Sequence, residues 1–192
     1  MPDARPEVLD FLLTRRSRPA KTLTGPVPDR AALMPMLEAA ARSPDHGKLE
    51  PWRFIVLESG AMGRLADLTV ARGTELGLEP DKIEKARRQF ADADLAVAVV
   101  SAPLPSEKVP EVEQILSAGA VCLALLNAAL ASGWGANWLS SWMSLDRAFL
   151  DQGLGLQAHE FVAGFIHIGT ETHAPPERPR PDLGAITSWV TE

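Results

Sequence analysis

The chain has 192 residues, of which 46% are hydrophobic, and a formal net charge of −6. This length suits one domain with a single core, so we expect one domain over residues 1–192. An acidic chain without a basic stripe also argues against a nucleic-acid partner.

The sequence offers no segment that we interpret as membrane-spanning or secretory. Its first residues, MPDARPEVLD, contain no apolar run. The most apolar stretch, AGAVCLALLNAALASG, is interrupted by Asn127 and falls short of the roughly 18–20 residues that a bilayer span needs. The single cysteine, Cys122, cannot form an intrachain disulfide and is expected to be a small buried hydrophobe. We therefore expect a cytoplasmic protein that does not contact a membrane.

Hydrophobic periodicity predicts helices and strands that alternate along the chain, which favours a layered α+β or α/β domain around one sheet. Asp29 and Ser144 are the expected helix caps, and the nearly continuous apolar strand 95–102 suits a sheet covered on both faces. The proline-rich tail, 171–192, is expected to be extended, with an apolar end that could pack on a neighbouring molecule. The predicted helices are 6–15, 28–43, 60–77, 79–93, 110–133 and 144–154, and the predicted strands are 52–58, 95–102, 135–141 and 160–170.

A cluster of positive charge follows the first helix, in the sequence TRRSRPAK. Arginine offers a planar fork of donors to a phosphate, and the hydroxyl of Ser17 adds another donor. Because neighbouring side chains on an extended backbone point in opposite directions, Arg15 and Ser17 can reach one ligand group while Arg16 reaches another. The cluster therefore indicates a small anionic ligand with two polar ends, and the alternative is a solvated loop. Its cations are Arg15, Arg16, Arg18 and Lys21, and no acid lies between Asp10 and Asp29.

Other chemistries find little support in the sequence. The four histidines do not stand at a spacing typical of metal ligands, so we expect no metal site. There is no G-x-S-x-G elbow for a serine hydrolase and no phosphate-binding P-loop. The G-x-G of GWGANW follows a helix and leads into a strand, which is the reverse of a dinucleotide-binding loop.

A second polar segment, ARSPDHGKLEPWRFIVLE, joins the second helix to the first strand. Pro44 and Pro51 stiffen this turn, and loops held between rigid elements often carry function. His46 and Lys48 are therefore candidates, whereas Trp52 is interpreted as a core residue.

Together these segments resemble the nitroreductase family of FMN-dependent oxidoreductases, in particular its small NAD(P)H nitroreductase branch. The resemblance lies in RRS, ARSPDHGKLEPWRFIVLE, KVPEVEQILSAGAVCLALLNAA, GANWLSS and GFIHIGT, in this order. It implies an α+β, three-layer nitroreductase-like fold with a central mixed sheet flanked by helices. It also implies a homodimer with FMN sites at its interface and a C-terminal tail that embraces the partner subunit.

The resemblance also implies the site residues. Leu139 stands where the small branch often has an arginine, so a phosphate contact there is lost. Arg180, with Arg178 as second choice, is the basic tail residue expected to bind the phosphate. The implied FMN contacts are Arg15, Arg16, Ser17, Arg42, His46, Trp138, Leu139, Ser140 and Arg180, and the implied nicotinamide segment is Ala128, Ala129, Leu130, Ala131, Ser132 and Gly133.

The reaction implied by the resemblance is ping-pong transfer of hydride from NAD(P)H through flavin N5 to nitroaromatic or quinone-like acceptors. Such chemistry requires no catalytic side chain. One alternative is a flavin-binding protein on the same scaffold with another reaction, such as dehalogenation or oxygen-dependent flavin chemistry, or with no turnover. Another is a flavin-free domain that binds a partner through its apolar central helix.

Overall fold

Strand β5 is the centre of the sheet in this computed structural model, which describes residues 3–192. The strands are β1 (Leu23–Thr24), β2 (Trp52–Glu58), β3 (Leu95–Ser101), β4 (Gly135–Leu139) and β5 (Phe161–Glu171). The helices are α1 (Pro6–Thr14), α2 (Arg30–Ala40), α3 (Ser59–Glu75), α4 (Pro80–Ala91), α5 (Glu111–Ala131), α6 (Arg147–Phe149, continued by a π turn over Leu150–Leu154) and α7 (Leu183–Ile186).

The sheet has five strands among the described residues. Residues 165–167 of β5 pair with both β3 and β4, so these two strands flank it, and the end of β5 pairs with β1. Strand direction is more uniform than the predicted mixed sheet, because all four strand pairs within residues 3–192 are antiparallel. Helices α3 and α4 follow β2 in the chain and pack side by side. They connect β2 to β3, which runs antiparallel beside it.

Strand β3 shows why the domain has three layers. All seven of its residues are buried, as the continuous apolar run predicts. Ala96, Ala98 and Val100 face a core cluster formed with α3, α4 and α6. Leu95, Val97 and Val99 face a second cluster formed with α2 and α5. The predicted α+β class and three-layer arrangement are confirmed.

Helix α5 is longer than the apolar run that marks it, because the polar turn at its start is also helical. By length and composition it could cross a bilayer, so the expectation that this segment is too short was wrong. In the fold it packs against α2 and the sheet. Cys122 lies fully buried on it, as expected, and burial raises the pKa of the thiol to about 12.

The predicted caps have different outcomes. Asp29 caps α2 as expected, since its Oδ1 accepts from the backbone N–H of Ala32 at 2.8 Å. The cap of α6 is Asp146, whose Oδ1 accepts from Phe149 N at 2.8 Å, and not Ser144. Ser144 instead ends a preceding 3₁₀ turn, where it accepts from the backbone N–H of Ser141.

Candidate functional site

The early arginines line a pocket at the C-terminal end of α5, which we call the arginine pocket. It has a volume of about 320 Å³. After α1, residues 15–19 have no regular secondary structure. A hydrogen bond from Arg18 N to Ala136 O, at 2.8 Å, attaches this segment to β4 of the sheet. The residues that line the pocket are Phe11, Thr14, Arg15, Arg16, Arg18, Leu130, Gly133, Trp134, Gly135 and Glu171.

Positive charge is crowded in the arginine pocket. Burial, followed by the charges of Arg180, Arg16 and Arg18, lowers the pKa of Arg15. The tail therefore passes close to the early arginines, and Arg16 Nη2 donates to Pro176 O at 3.1 Å. The tail arginine that the sequence analysis preferred, Arg180, lies near enough to Arg15 to repel it.

Two acids balance part of this charge. Glu171 Oε1 lies 3.2 Å from Arg18 Nη1, as an ion pair without good hydrogen-bond geometry. Glu177 Oε1 lies 2.7 Å from Arg180 Nη2, on a more exposed surface. Arg15 and Arg16 have no acidic partner of this kind among the described residues. Both residues therefore remain available to an anion.

The arginine side chains also have unused donors. Arg15 Nη2 donates to Ser17 Oγ at 3.2 Å, which places the two residues on the same side of the chain. Arg15 Nε and Arg16 Nε are buried and have no hydrogen-bond partner within residues 3–192. Buried donors are nearly always satisfied in a complete structure, so an acceptor is expected at this place.

The segment Trp138–Ser140 lies next to the arginine pocket along β4. Asn137 Nδ2 donates to Arg18 O at 2.6 Å and holds the two segments together. The indole of Trp138 lies over Gly164, where a Cβ atom would stand only 2.1 Å from Nε1. Leu139 is half-buried and Ser140 is exposed. This end of β4 therefore presents an aromatic ring and a hydroxyl, and Leu139 adds no positive charge.

The predicted nicotinamide segment, residues 128–133, forms the end of α5 and the turn after it. Leu130 and Gly133 line the arginine pocket. Gly133 has a φ of 85°, a left-handed conformation that favours glycine. Sequence and structure thus place this segment beside the early arginines, although its other residues offer no polar side chain except Ser132.

Arg42 and His46 lie at the opposite end of α5. Both residues are exposed, on the loop of residues 41–51 that we call the His46 loop. His46 Nδ1 lies 2.7 Å from Oε2 of Glu113, in the first turn of α5. The loop backbone is unusual, because Lys48 and Glu50 have φ values of 54° and 47°. Non-glycine residues with such φ values are uncommon and often occur at functional sites.

The two halves of the expected site are therefore far apart in one chain. Glu113, beside the His46 loop, and Leu130, in the arginine pocket, are 17 positions apart on α5. At 1.5 Å per residue this is about 26 Å along the helix axis. One copy of the chain cannot bring both groups to a single small ligand.

Several polar residues of this region were not predicted. Glu171, Asn137, Glu113 and Ser117 contact the arginine pocket or the His46 loop. Glu171, Glu113 and Ser117 do not stand beside a candidate in the sequence. Asn137 directly precedes Trp138, but no pattern around it indicates a contact with Arg18. Arg18 was recognised as part of the cluster but was not assigned a contact.

Residues 3–192 do not bring together the side chains that a metal site needs. No group of three histidine, cysteine or acidic side chains could hold a metal ion in this part of the chain. Glu160, which follows His159, is held by Arg53 through two hydrogen bonds of 2.8 Å. The side-chain bonds from Arg53 lower the pKa of Glu160 to about 2, so this carboxylate serves an ion pair.

Comparison with known proteins agrees with the geometry. The family model described as Nitroreductase family matches residues 12–170. A Haemophilus influenzae protein named "Putative NAD(P)H nitroreductase" is 37% identical over 166 residues, which cover 85% of this chain and 88% of that protein.

Two solved structures show the same fold. A nitroreductase-like family protein from Bacillus cereus aligns with a TM-score of 0.80 and 18% identity, over 99% of both chains. A nitroreductase with bound FMN from Bacteroides fragilis aligns with a TM-score of 0.73 and 18% identity, over 95% of this chain and 98% of that one. As the sequence resemblance implied, the chain belongs to the nitroreductase family.

Proposed function

We propose that this chain is an FMN-dependent NAD(P)H oxidoreductase that acts as a homodimer in the cytoplasm. Its acceptors are nitroaromatic or quinone-like compounds, and each turnover follows a ping-pong scheme. When bound, FMN supplies the redox chemistry, accepting hydride from NAD(P)H at N5 and returning it to the acceptor. The side chains of the protein bind, orient and exclude water.

The arginine pocket is the observation that carries this proposal. Three arginines line it, and burial of Arg15, together with the charges of Arg180, Arg16 and Arg18, lowers the pKa of Arg15. Such crowding is costly without an anion, and a phosphate monoester supplies close to two negative charges and several acceptor oxygens. The buried, unpartnered Nε atoms of Arg15 and Arg16 fit the same ligand.

The phosphate is assigned to Arg15, Ser17 and Arg180. Arg15 Nη2 lies 3.2 Å from Ser17 Oγ, so the two residues present a guanidinium and a hydroxyl on one side of the chain. Arg180, in the tail, lies near Arg15. Its guanidinium would bind both Glu177 and the phosphate. Arg178 is the second choice in the tail.

The flavin ring is assigned to the second set of predicted residues. If FMN is bound, a cation fixed beside the N1–C2=O side of its ring would stabilise negative charge there. Arg16 or Arg42 supplies that cation. His46 approaches the ring from its loop, and Trp138, Leu139 and Ser140 border it at the end of β4. Residues 128–133 are proposed to lie near the nicotinamide.

The distance along α5 requires two copies of the chain. The arginine pocket of one protomer and the His46 loop of its partner together complete each site. Unpaired apolar side chains support this assembly, because a monomer would expose them to water. They are exposed on α1 (Val8, Leu9, Leu12, Leu13), on α5 (Val112, Leu116, Leu123) and on the tail (Leu183, Ile186, Trp189, Val190).

One absorption spectrum of the purified protein tests the cofactor assignment. We expect a yellow protein, or one that becomes yellow and quenches flavin fluorescence when FMN is added. A protein that stays colourless after FMN addition would remove the proposal.

A second experiment separates enzyme from carrier. Stopped-flow mixing of the FMN-loaded protein with NADPH or NADH should bleach the flavin band, and an acceptor should restore it. Bound flavin that neither nucleotide reduces would identify a flavin-binding protein without this activity. Screening nitroaromatic, quinone and halogenated acceptors would distinguish the reactions that the scaffold can support.

A further inference from the structure

The first two turns of α5, with the sequence EVEQILS (residues 111–117), include the residues Glu113 and Ser117 that contact the His46 loop. Three of its polar side chains hold the neighbouring loops by specific contacts. Gln114, Glu113 and Ser117 lie on adjacent turns of the helix. Their contacts show how the His46 loop obtains its place.

Gln114 fixes the segment that precedes the helix. Its side chain is only 3% exposed. Its Oε1 accepts from Leu104 N at 2.8 Å, and its Nε2 donates to Leu104 O at 2.9 Å and to Val109 O at 3.3 Å. Every polar atom of the amide is used, so the first turn of α5 is rigidly attached to its own entry loop.

Ser117 anchors the His46 loop on both sides of its residues with positive φ. Its hydroxyl donates to Pro44 O at 2.8 Å and accepts from Trp52 Nε1 at 3.0 Å. Pro44 and Trp52 bracket the residues with positive φ. The loop is therefore held by α5 although its own backbone is strained.

Glu113 lies one helical turn before Ser117 and contacts His46 directly, at 2.7 Å from Nδ1. In a single chain the side chain of His46 is 59% exposed and that of Glu113 is 46% exposed. Exposed ion pairs add little to folding stability. The contact instead affects the orientation of the His46 imidazole. A carboxylate that accepts from Nδ1–H fixes the tautomer and orientation of the ring and leaves Nε2 free to face a ligand.

We infer that Glu113 is a positioning residue of the flavin site, acting through the imidazole of His46. This inference rests on the proposed function, because it is the flavin that His46 would contact across the dimer interface. Glu113 holds Nδ1, Ser117 holds the loop, and Nε2 of His46 is thereby presented as the polar atom that meets the cofactor. No bond is made or broken by Glu113 itself.

The chain offers a matched control. Glu111 lies in the same first turn of α5, is exposed, and carries the same charge at the same helix terminus. Glu111→Ala and Glu113→Ala therefore change the net charge and the helix dipole equally, and only the second removes a contact to His46.

The first test uses the apo protein and requires no flavin. Long-range ¹H–¹⁵N spectra of the imidazole at neutral pH should show His46 protonated at Nδ1 in the wild type and in Glu111→Ala, with assignment from His46→Ala. In Glu113→Ala the signal should shift toward the Nε2-protonated tautomer. An unchanged tautomer in Glu113→Ala would overturn the inference.

The second test is a double-mutant cycle on FMN affinity, measured by quenching of flavin fluorescence. Glu113→Ala should weaken binding roughly threefold to tenfold, the equivalent of one hydrogen bond, and Glu111→Ala should leave it unchanged. In the His46→Ala background, Glu113→Ala should have no further effect, because it acts only through that ring. Independent, additive losses would contradict this.

The two tests fail differently. If the wild-type protein binds no FMN, the proposed function falls and the flavin part of this inference falls with it. The tautomer measurement still decides whether Glu113 positions His46. If the wild type binds FMN and Glu113→Ala has the same His46 tautomer and FMN affinity as Glu111→Ala, the proposed function stands and Glu113 has no positioning role.

Discussion

The two ends of α5 differ in how they treat charge. At the C-terminal end, the arginine pocket crowds guanidinium groups, and two buried Nε atoms there have no partner among the described residues. At the N-terminal end, the His46 loop is exposed, and its histidine is paired with Glu113. One end therefore carries more positive than negative charge among the described residues, whereas at the other end the histidine is paired and the backbone is strained.

This difference indicates what each end contributes. A crowded cationic pocket binds a charged group through Coulomb attraction and hydrogen bonds. A strained loop fixed by side chains of α5 orients a ring and a cation with little rearrangement. In the proposed function, phosphate binding and orientation of the redox group would thus be divided between two surfaces that a dimer brings together.

The largest expected effect comes from removing residues 183–192. Without this segment, the arginine pocket of one protomer would no longer be held beside the His46 loop of its partner. All residues of this segment are exposed in the single chain, so the truncated protein should still fold. Without Leu183, Ile186, Trp189 and Val190, the dimer should weaken strongly, and FMN should be lost because each site is incomplete. Sedimentation velocity with absorbance at flavin wavelengths measures both quantities.

The truncated chain retains Arg180, so loss of flavin cannot be ascribed to a missing tail cation. A dimer that survives truncation and keeps its FMN would show that the tail end plays no part in assembly.

Acid should affect the sheet beneath the arginine pocket. His167 is 1% exposed on β5, opposite Asn137, and neither ring nitrogen has a protein partner within residues 3–192. Burial lowers its pKa from 6.5 to about 4. Because the unfolded chain binds this proton more readily, stability is lost as pH falls from 6.5 toward 4, by about 2 kcal/mol at pH 5.

Urea unfolding at pH 7 and pH 5 measures this loss. His167→Leu and His167→Phe should each show a smaller difference between the two pH values than the wild type does. An equal difference in a folded variant would show that His167 is not the responsible group.

Arg15→Ala tests the arginine pocket directly. Loss of one charged hydrogen-bond donor should weaken FMN binding by about 1.5–3 kcal/mol. Arg88→Ala is the control, because Arg88 is an exposed arginine on α4 that pairs with Glu84. Titration of the apo protein with FMN measures the affinity, and an unchanged value in Arg15→Ala would mean that Arg15 does not contact the phosphate.

The smallest effect is expected from Arg180→Ala. Arg180 is half exposed and already paired with Glu177, so it should contribute about 0.5–1.5 kcal/mol to FMN affinity. Arg178→Ala should have less effect, and the reverse order would move the assignment to Arg178. If neither variant changes the affinity, the tail supplies no phosphate ligand, and the pocket depends on residues 15–18 alone.

Much of the fold followed from local patterns. The four longer strands and helices α1 to α6 were predicted close to their observed positions, and β3 was recognised as buried on both faces from its continuous apolar run. The short helix α7 lies in the tail that was expected to be extended, and this expectation was wrong there. The two-residue strand β1 was missed because so short an element has no periodicity. The cap of α6 was misplaced by two residues, since Ser144 and Asp146 are both suitable capping residues.

The sequence by itself determined the early arginine cluster, the polar turn around His46 and the apolar central helix, because composition and period are properties of neighbouring residues. Only the tertiary structure decided that Glu171 pairs with Arg18, that Glu113 holds His46, and that α5 keeps the two halves of the site apart. Residues 46 and 113 are 67 positions apart in the chain, so their contact depends on how the loop packs on the helix. A local pattern encodes which chemistry is available, whereas packing of distant segments decides which groups meet.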